Sequence, residues 1–174
     1  MKTKLIALSA ISAALTAIML SLGAIFELID LVVVCFAPIF FSMPLYFDSK
    51  KGAILASLAG GLIAVFVNPF SLVGVLHFSF FGIFPIIKYV VLTKKLNKVL
   101  FNVLSMFWFA IVCVGAYFFY FKFLGNVPNE LFGLQEWVLP IIVALLAMAF
   151  YFVLDRFIYL LQVYVFRLLR KIIK

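Results

Sequence analysis

The 174-residue chain has few charged residues: 14 Lys and Arg with 6 Asp and Glu make up 11% of it, against 68% hydrophobic residues. Soluble domains are roughly 25% charged and roughly 45–50% apolar, so a soluble fold of this length could not bury so much apolar surface. Lipid must therefore be the solvent for much of the chain. The length predicts one domain, residues 1–174.

Residues that carry chemistry are scarce as well. The only two cysteines, Cys35 and Cys113, lie in apolar runs outside any C-x-x-C motif, and we interpret both as small buried hydrophobic groups. We therefore predict no metal site and no cofactor. The sequence contains no P-loop, HExxH or GxSxG motif, so we predict that the protein is not an enzyme. The net charge of +8 indicates basic residues flanking membrane spans and not nucleic-acid binding.

Polar breaks divide the apolar sequence into about six runs. In hydrocarbon a backbone must form its hydrogen bonds internally, so each run is predicted to be a helix and the fold a compact all-α membrane bundle. The second and third runs are short and closely joined, which leaves a re-entrant hairpin open beside two crossings. Pro38 and Pro44 can kink the second run. The predicted spans are Leu5–Phe26, Leu31–Phe47, Gly52–Val67, Ser71–Leu92, Val99–Phe121 and Trp137–Leu154.

The basic residues predict the orientation of these spans. With six crossings, all of the 14 Lys and Arg residues except Lys122 fall on one side. Cytoplasmic loops carry the excess of Lys and Arg in membrane proteins, so we expect both termini in the cytoplasm and the protein in the plasma membrane. Residues 157–174 are predicted to be an amphipathic cytoplasmic tail, and a sixth helix that projects past the membrane is the alternative.

Small residues share one face of the first helix. The steps Ala10-x-x-x-Ala14 and Ala13-x-x-x-Ala17 allow another helix to approach closely. Two interpretations stay open for these four alanines: packing within the chain, or docking of a partner membrane subunit.

The remaining polar groups collect on the side opposite the cations. His77 lies at membrane depth, where an ionisable group suggests a functional site, although a single histidine also fits a helix–helix hydrogen bond. The loop over residues 122–136 is long, and long loops often bind ligands. Trp137 also fits an interfacial anchor. The candidate ligand-binding residues are Glu27, Asp30, Asn68, His77, Asn129, Glu130 and Trp137.

The length, the six spans and the two AxxxA steps resemble the substrate-binding (S) components of energy-coupling factor (ECF) transporters. The resemblance implies a vitamin or similar small micronutrient bound near the outer face. It also implies that Ala10, Ala13, Ala14 and Ala17 dock a transmembrane coupling subunit, and that two separate ATPase subunits drive release of the substrate inside. No motif in the sequence identifies the substrate.

Two other classes of protein stay open. A membrane scaffold of the MreD kind has similar length and span number and needs no ligand. A small stand-alone carrier is the third interpretation, and the lack of a visible intramembrane charge pair argues against ion coupling in such a carrier.

Overall fold

The computed structural model describes residues 2–119 and 138–172, and these ranges contain helices but no strand. The predicted all-α fold is therefore confirmed. A 3-10 turn follows α1 at Glu27–Ile29, another follows α3 at Met43–Phe47, and a π-turn at His77–Phe81 separates α5 from α6. The α-helices in these ranges are α1 (Lys2–Ile25), α2 (Asp30–Phe36), α3 (Pro38–Phe41), α4 (Lys50–Val67), α5 (Leu72–Leu76), α6 (Phe84–Thr93), α7 (Lys98–Tyr117) and α8 (Val138–Ile172).

Six segments of the described chain are long and apolar enough to cross a membrane, which confirms the predicted number of candidate spans. Many large apolar side chains are exposed on their outer surfaces, as lipid contact requires. This is the architecture of a multi-pass membrane protein. The segments are Thr3–Ile25, Asp30–Phe47, Lys50–Val67, Leu72–Thr93, Lys98–Tyr117 and Val138–Lys171.

Two prolines interrupt the second span, as the sequence predicts. Pro38 is the first residue of α3, and Pro44 lies in the 3-10 turn that ends the span. Proline lacks the N–H that a regular helix needs at an interior position, so the helix restarts at each. The 18 residues of this span still reach about 27 Å or more, close to the roughly 30 Å hydrocarbon core.

Small residues bring α1 and α4 into close contact. A Cβ built on Gly60 would lie 2.5 Å from Thr16 Cγ2, and one built on Gly52 would lie 2.5 Å from Ser9 Oγ. Ser12 and Thr16 are fully buried, and each hydroxyl donates to the carbonyl four residues earlier in α1 at 2.7 Å. The polar groups of the contact are thus satisfied within one helix, and the backbones can approach without unpaired donors.

Substitution of Gly60 tests this contact. We expect Gly60→Val to lower the free energy of unfolding in detergent by about 2 kcal/mol, because its side chain would overlap Thr16. Gly115→Ala is the control, since no atom of the described residues lies within 4 Å of a Cβ there; it should be neutral or stabilise α7 slightly. Equal stabilities of the two variants would contradict the close packing of α1 on α4.

The sixth span is one continuous helix of 35 residues, about 52 Å long. Residues 157–172, for which an amphipathic tail and a longer sixth helix were the two interpretations, continue this helix and bury one face in the bundle. Ile158, Gln162 and Val165 lie on that buried face. Gln162 Nε2 donates to the Pro85 carbonyl at 3.0 Å, so the segment is tied to the start of α6.

Candidate functional site

His77 begins the π-turn of the fourth span and packs against α4. Its side chain is fully buried, and Nε2 lies 3.0 Å from the Ser57 carbonyl oxygen and 3.1 Å from Ser57 Oγ. Ser57 Oγ in turn donates to the Gly82 carbonyl at 2.9 Å. The three residues therefore form a buried hydrogen-bonded connection between two helices, which is the helix–helix role left open by the sequence.

Two glycines make room for the imidazole. A Cβ on Gly61 would lie 2.7 Å from His77 Cδ2, and one on Gly82 would lie 2.9 Å from Nε2. The π-turn at His77–Phe81 adds one residue to the helical turn, which leaves the Ser79 carbonyl free to accept from Trp108 Nε1 at 2.9 Å. The histidine thus sits where the fourth span changes its helical geometry.

Asn68 and Asp30 also have local structural partners. Asn68 Nδ2 donates to the Ala24 carbonyl at 3.1 Å, and its Oδ1 accepts from Phe70 N–H at 3.2 Å. Asn68 therefore joins the ends of α1 and α4. Asp30 begins α2 and accepts from Leu31 N–H, in the first turn where a carboxylate interacts favourably with the helix dipole.

The structure thus describes the side chains of three of the seven candidate ligand-binding residues. Asn68 and His77 bond to other helices, and Asp30 bonds within its own helix. Glu27 lies in the 3-10 turn that follows α1. Asn129, Glu130 and Trp137 lie outside the described residues. A shared pocket for the seven residues stays a prediction.

The four alanines of α1 divide between two environments. Ala10 and Ala14 are exposed, Ala13 is half-buried against the core, and Ala17 is 8% exposed. Ser9 and Thr16 make the contact with Gly52 and Gly60 of α4 on another side of the helix. The surface around Ala10 and Ala14 is therefore not used for packing by the described part of the chain.

A buried charge pair joins the fourth and sixth spans. Lys88 Nζ lies 2.5 Å from Asp155 Oδ1 and donates to the Asp155 carbonyl oxygen at the same distance. Lys88 is only 6% exposed, and its ammonium lies 5.8 Å from the Phe84 ring centre and 5.7 Å from that of Tyr159. The aromatic rings and the carboxylate together compensate the buried positive charge.

This pair corrects one expectation from the sequence. No charge pair between spans is visible in the sequence, yet Lys88 and Asp155 form one at the level of the turn between α6 and α7. The sequence did contain a signal for this pair. Lys88 lies inside an apolar run, and ionisable residues in such runs are usually paired. The sequence interpretation placed Lys88 near a helix end and Asp155 beyond the sixth span, so the two were not connected.

Among the described residues, no group of three or more His, Cys, Asp or Glu side chains is placed to bind a metal ion. The fold and these contacts define a multi-pass helical membrane protein with polar connections between its spans. No family of known proteins, no curated protein and no solved structure matches the chain.

Proposed function

We propose that the protein is the membrane-embedded substrate-capture subunit of an ECF-type importer for a vitamin or similar small micronutrient. In this proposal it passes the substrate to a transmembrane coupling subunit, and two ATPase subunits supply the energy. It lies in the plasma membrane with both termini in the cytoplasm. The distribution of basic residues supports that orientation.

The main support for this proposal is the exposed surface of α1 at Ala10 and Ala14. If the AxxxA steps served only packing inside the chain, Ala10 and Ala14 would face a neighbouring helix. Instead both are exposed, while serine and threonine side chains contact α4. Small side chains such as Ala10 and Ala14 let a partner helix approach closely in lipid.

Bulky side chains on this surface provide the test. We expect the tagged protein, purified from its native membrane, to retain a coupling subunit and two ATPases. Ala10→Trp combined with Ala14→Trp should reduce the retained amount by about tenfold or more, since overpacking of one helix contact costs about 1–3 kcal/mol. Quantitative mass spectrometry of the purified complex measures the loss.

A control pair on α8 separates docking from general damage. Ala149→Trp with Val153→Trp adds bulk at exposed positions one turn apart, and Val153 is 63% exposed. These changes should leave the complex intact. Equal loss in both pairs, or unchanged assembly with Trp at Ala10 and Ala14, would refute the docking surface.

A scaffold protein without a small ligand is the second candidate function. The observation that favours it is the structural engagement of Asn68 and His77, which hold helices together. This alternative predicts that no small molecule is retained on purification and that deletion alters cell shape or division.

A further inference from the structure

Two adjoining cavities lie along the junction of α6 and α7. The first, of about 290 Å³, lies where α6 ends and α7 begins, and we name it the polar pocket. The second, of about 680 Å³, follows it towards the middle of the span, and we name it the apolar groove. Phe101 lines both, so the two cavities adjoin at its side chain.

The polar pocket is rich in cations. Lys88, Lys98 and Arg156 line it together with Asn102 and Asp155. Asp155 is paired with Lys88, whereas neither Lys98 nor Arg156 forms an ion pair with another described residue, and both are exposed. The pocket therefore presents two available positive charges. Arginine and lysine side chains that line one pocket suit a phosphate group, which accepts charge-assisted hydrogen bonds from both.

The apolar groove has a different lining. Ile87 of α6 and Leu104 and Trp108 of α7 form its walls, with the rings of Phe84 and Phe101. Leu104 is 61% exposed and Ile87 45% exposed, so the groove opens sideways to the surroundings of the bundle. A water-soluble anion would leave this groove unfilled, whereas a hydrocarbon chain matches its lining.

The two cavities together have the length of one lipid. On α7 they extend from Lys98 to Val112, a rise of about 21 Å. Half of a bilayer with its headgroup region is about 20–22 Å thick. The charged end lies at the turn that carries Lys94 and Lys95, which is the cytoplasmic side in the proposed orientation, and that leaflet is rich in anionic lipid.

We propose that this junction binds one anionic phospholipid, with its phosphate-bearing headgroup at Lys98 and Arg156 and an acyl chain in the apolar groove. The site does not depend on the importer function. It gives the protein a preference for anionic lipid and fills the opening between α6 and α7.

Lipid titration followed by native mass spectrometry tests the proposal. The delipidated full chain in detergent receives phosphatidylglycerol or phosphatidylcholine with identical acyl chains. We expect the first phosphatidylglycerol to bind about tenfold more tightly, because each basic residue near an anionic lipid contributes appreciably to binding. Lys98→Gln with Arg156→Gln should abolish that preference.

Two further variants make the result specific. Lys50→Gln with Lys51→Gln removes the same charge from the same predicted side and should preserve the preference. Leu104→Trp should fill the groove and weaken binding of both lipids. Equal affinity for the two lipids, equal loss in both charge variants, or unchanged lipid binding with Leu104→Trp would each overturn the proposal. Displacement of phosphatidylglycerol by millimolar inorganic phosphate would assign the pocket to a soluble anion and likewise overturn it.

Discussion

Asp155→Leu is expected to lower the free energy of unfolding by about 3–5 kcal/mol, because it leaves the Lys88 ammonium buried without its carboxylate. The unfolding midpoint in a denaturing-detergent titration measures the loss. Lys88→Leu should cost less, since the Asp155 side chain is 19% exposed and can reach water more readily.

The double variant Lys88→Leu with Asp155→Leu separates the charge pair from simple packing. Removing both charges from an apolar site is often close to neutral, so we expect it to be more stable than Asp155→Leu alone. Lys50→Gln is the control, because Lys50 and Asp48 are 3.9 Å apart and exposed. That change should cost less than about 1 kcal/mol. A double variant that loses the sum of the two single losses would rule out the coupling.

His77→Ala is expected to destabilise the protein by about 3 kcal/mol even when no ligand is present. The substitution leaves a cavity at a fully buried position and removes the hydrogen bond to the Ser57 carbonyl. Thermal unfolding in detergent measures the change.

The neighbouring Phe78 provides the matched control for this prediction. Phe78 is 39% exposed and lies next to His77 in the same turn, so Phe78→Ala should cost less. A His77→Ala protein as stable as the parent, but unable to retain a small molecule, would identify His77 as a binding residue and contradict its structural role.

The fold could be predicted from the sequence because lipid imposes a simple rule. Long apolar runs must become helices, and polar breaks between them locate the turns. The end of the sixth span was harder to predict, since Asp155 and Arg156 resemble the edge of the membrane. In the structure α8 continues through both residues to Ile172, and Asp155 is paired with Lys88 from another span.

The polar contacts could not be predicted in the same way. His77 and Ser57 are 20 residues apart in sequence, and Lys88 and Asp155 are 67 apart. Which polar residues meet depends on how the helices rotate and tilt, and a hydropathy pattern does not fix these angles. The composition could identify His77 as unusual. Its partner Ser57 could be identified only from the packing of α4 against the fourth span.

The alanines of α1 show both the strength and the limit of a local pattern. Spacing by four residues correctly places Ala10 beside Ala14 on one exposed surface. It does not indicate that Ala17 turns towards the core, because that depends on the position of the helices around α1.

The internal hydroxyl bonds of Ser12 and Thr16 have a consequence for biogenesis. α1 precedes α4, its close neighbour, along the chain and is therefore synthesised first. Because both hydroxyls donate to carbonyls of α1 itself, the first helix carries these donors satisfied while it is alone in lipid. These hydroxyls therefore need no hydrogen-bond partner from another helix before α4 is inserted. Association of the two helices can then follow insertion as a separate stage.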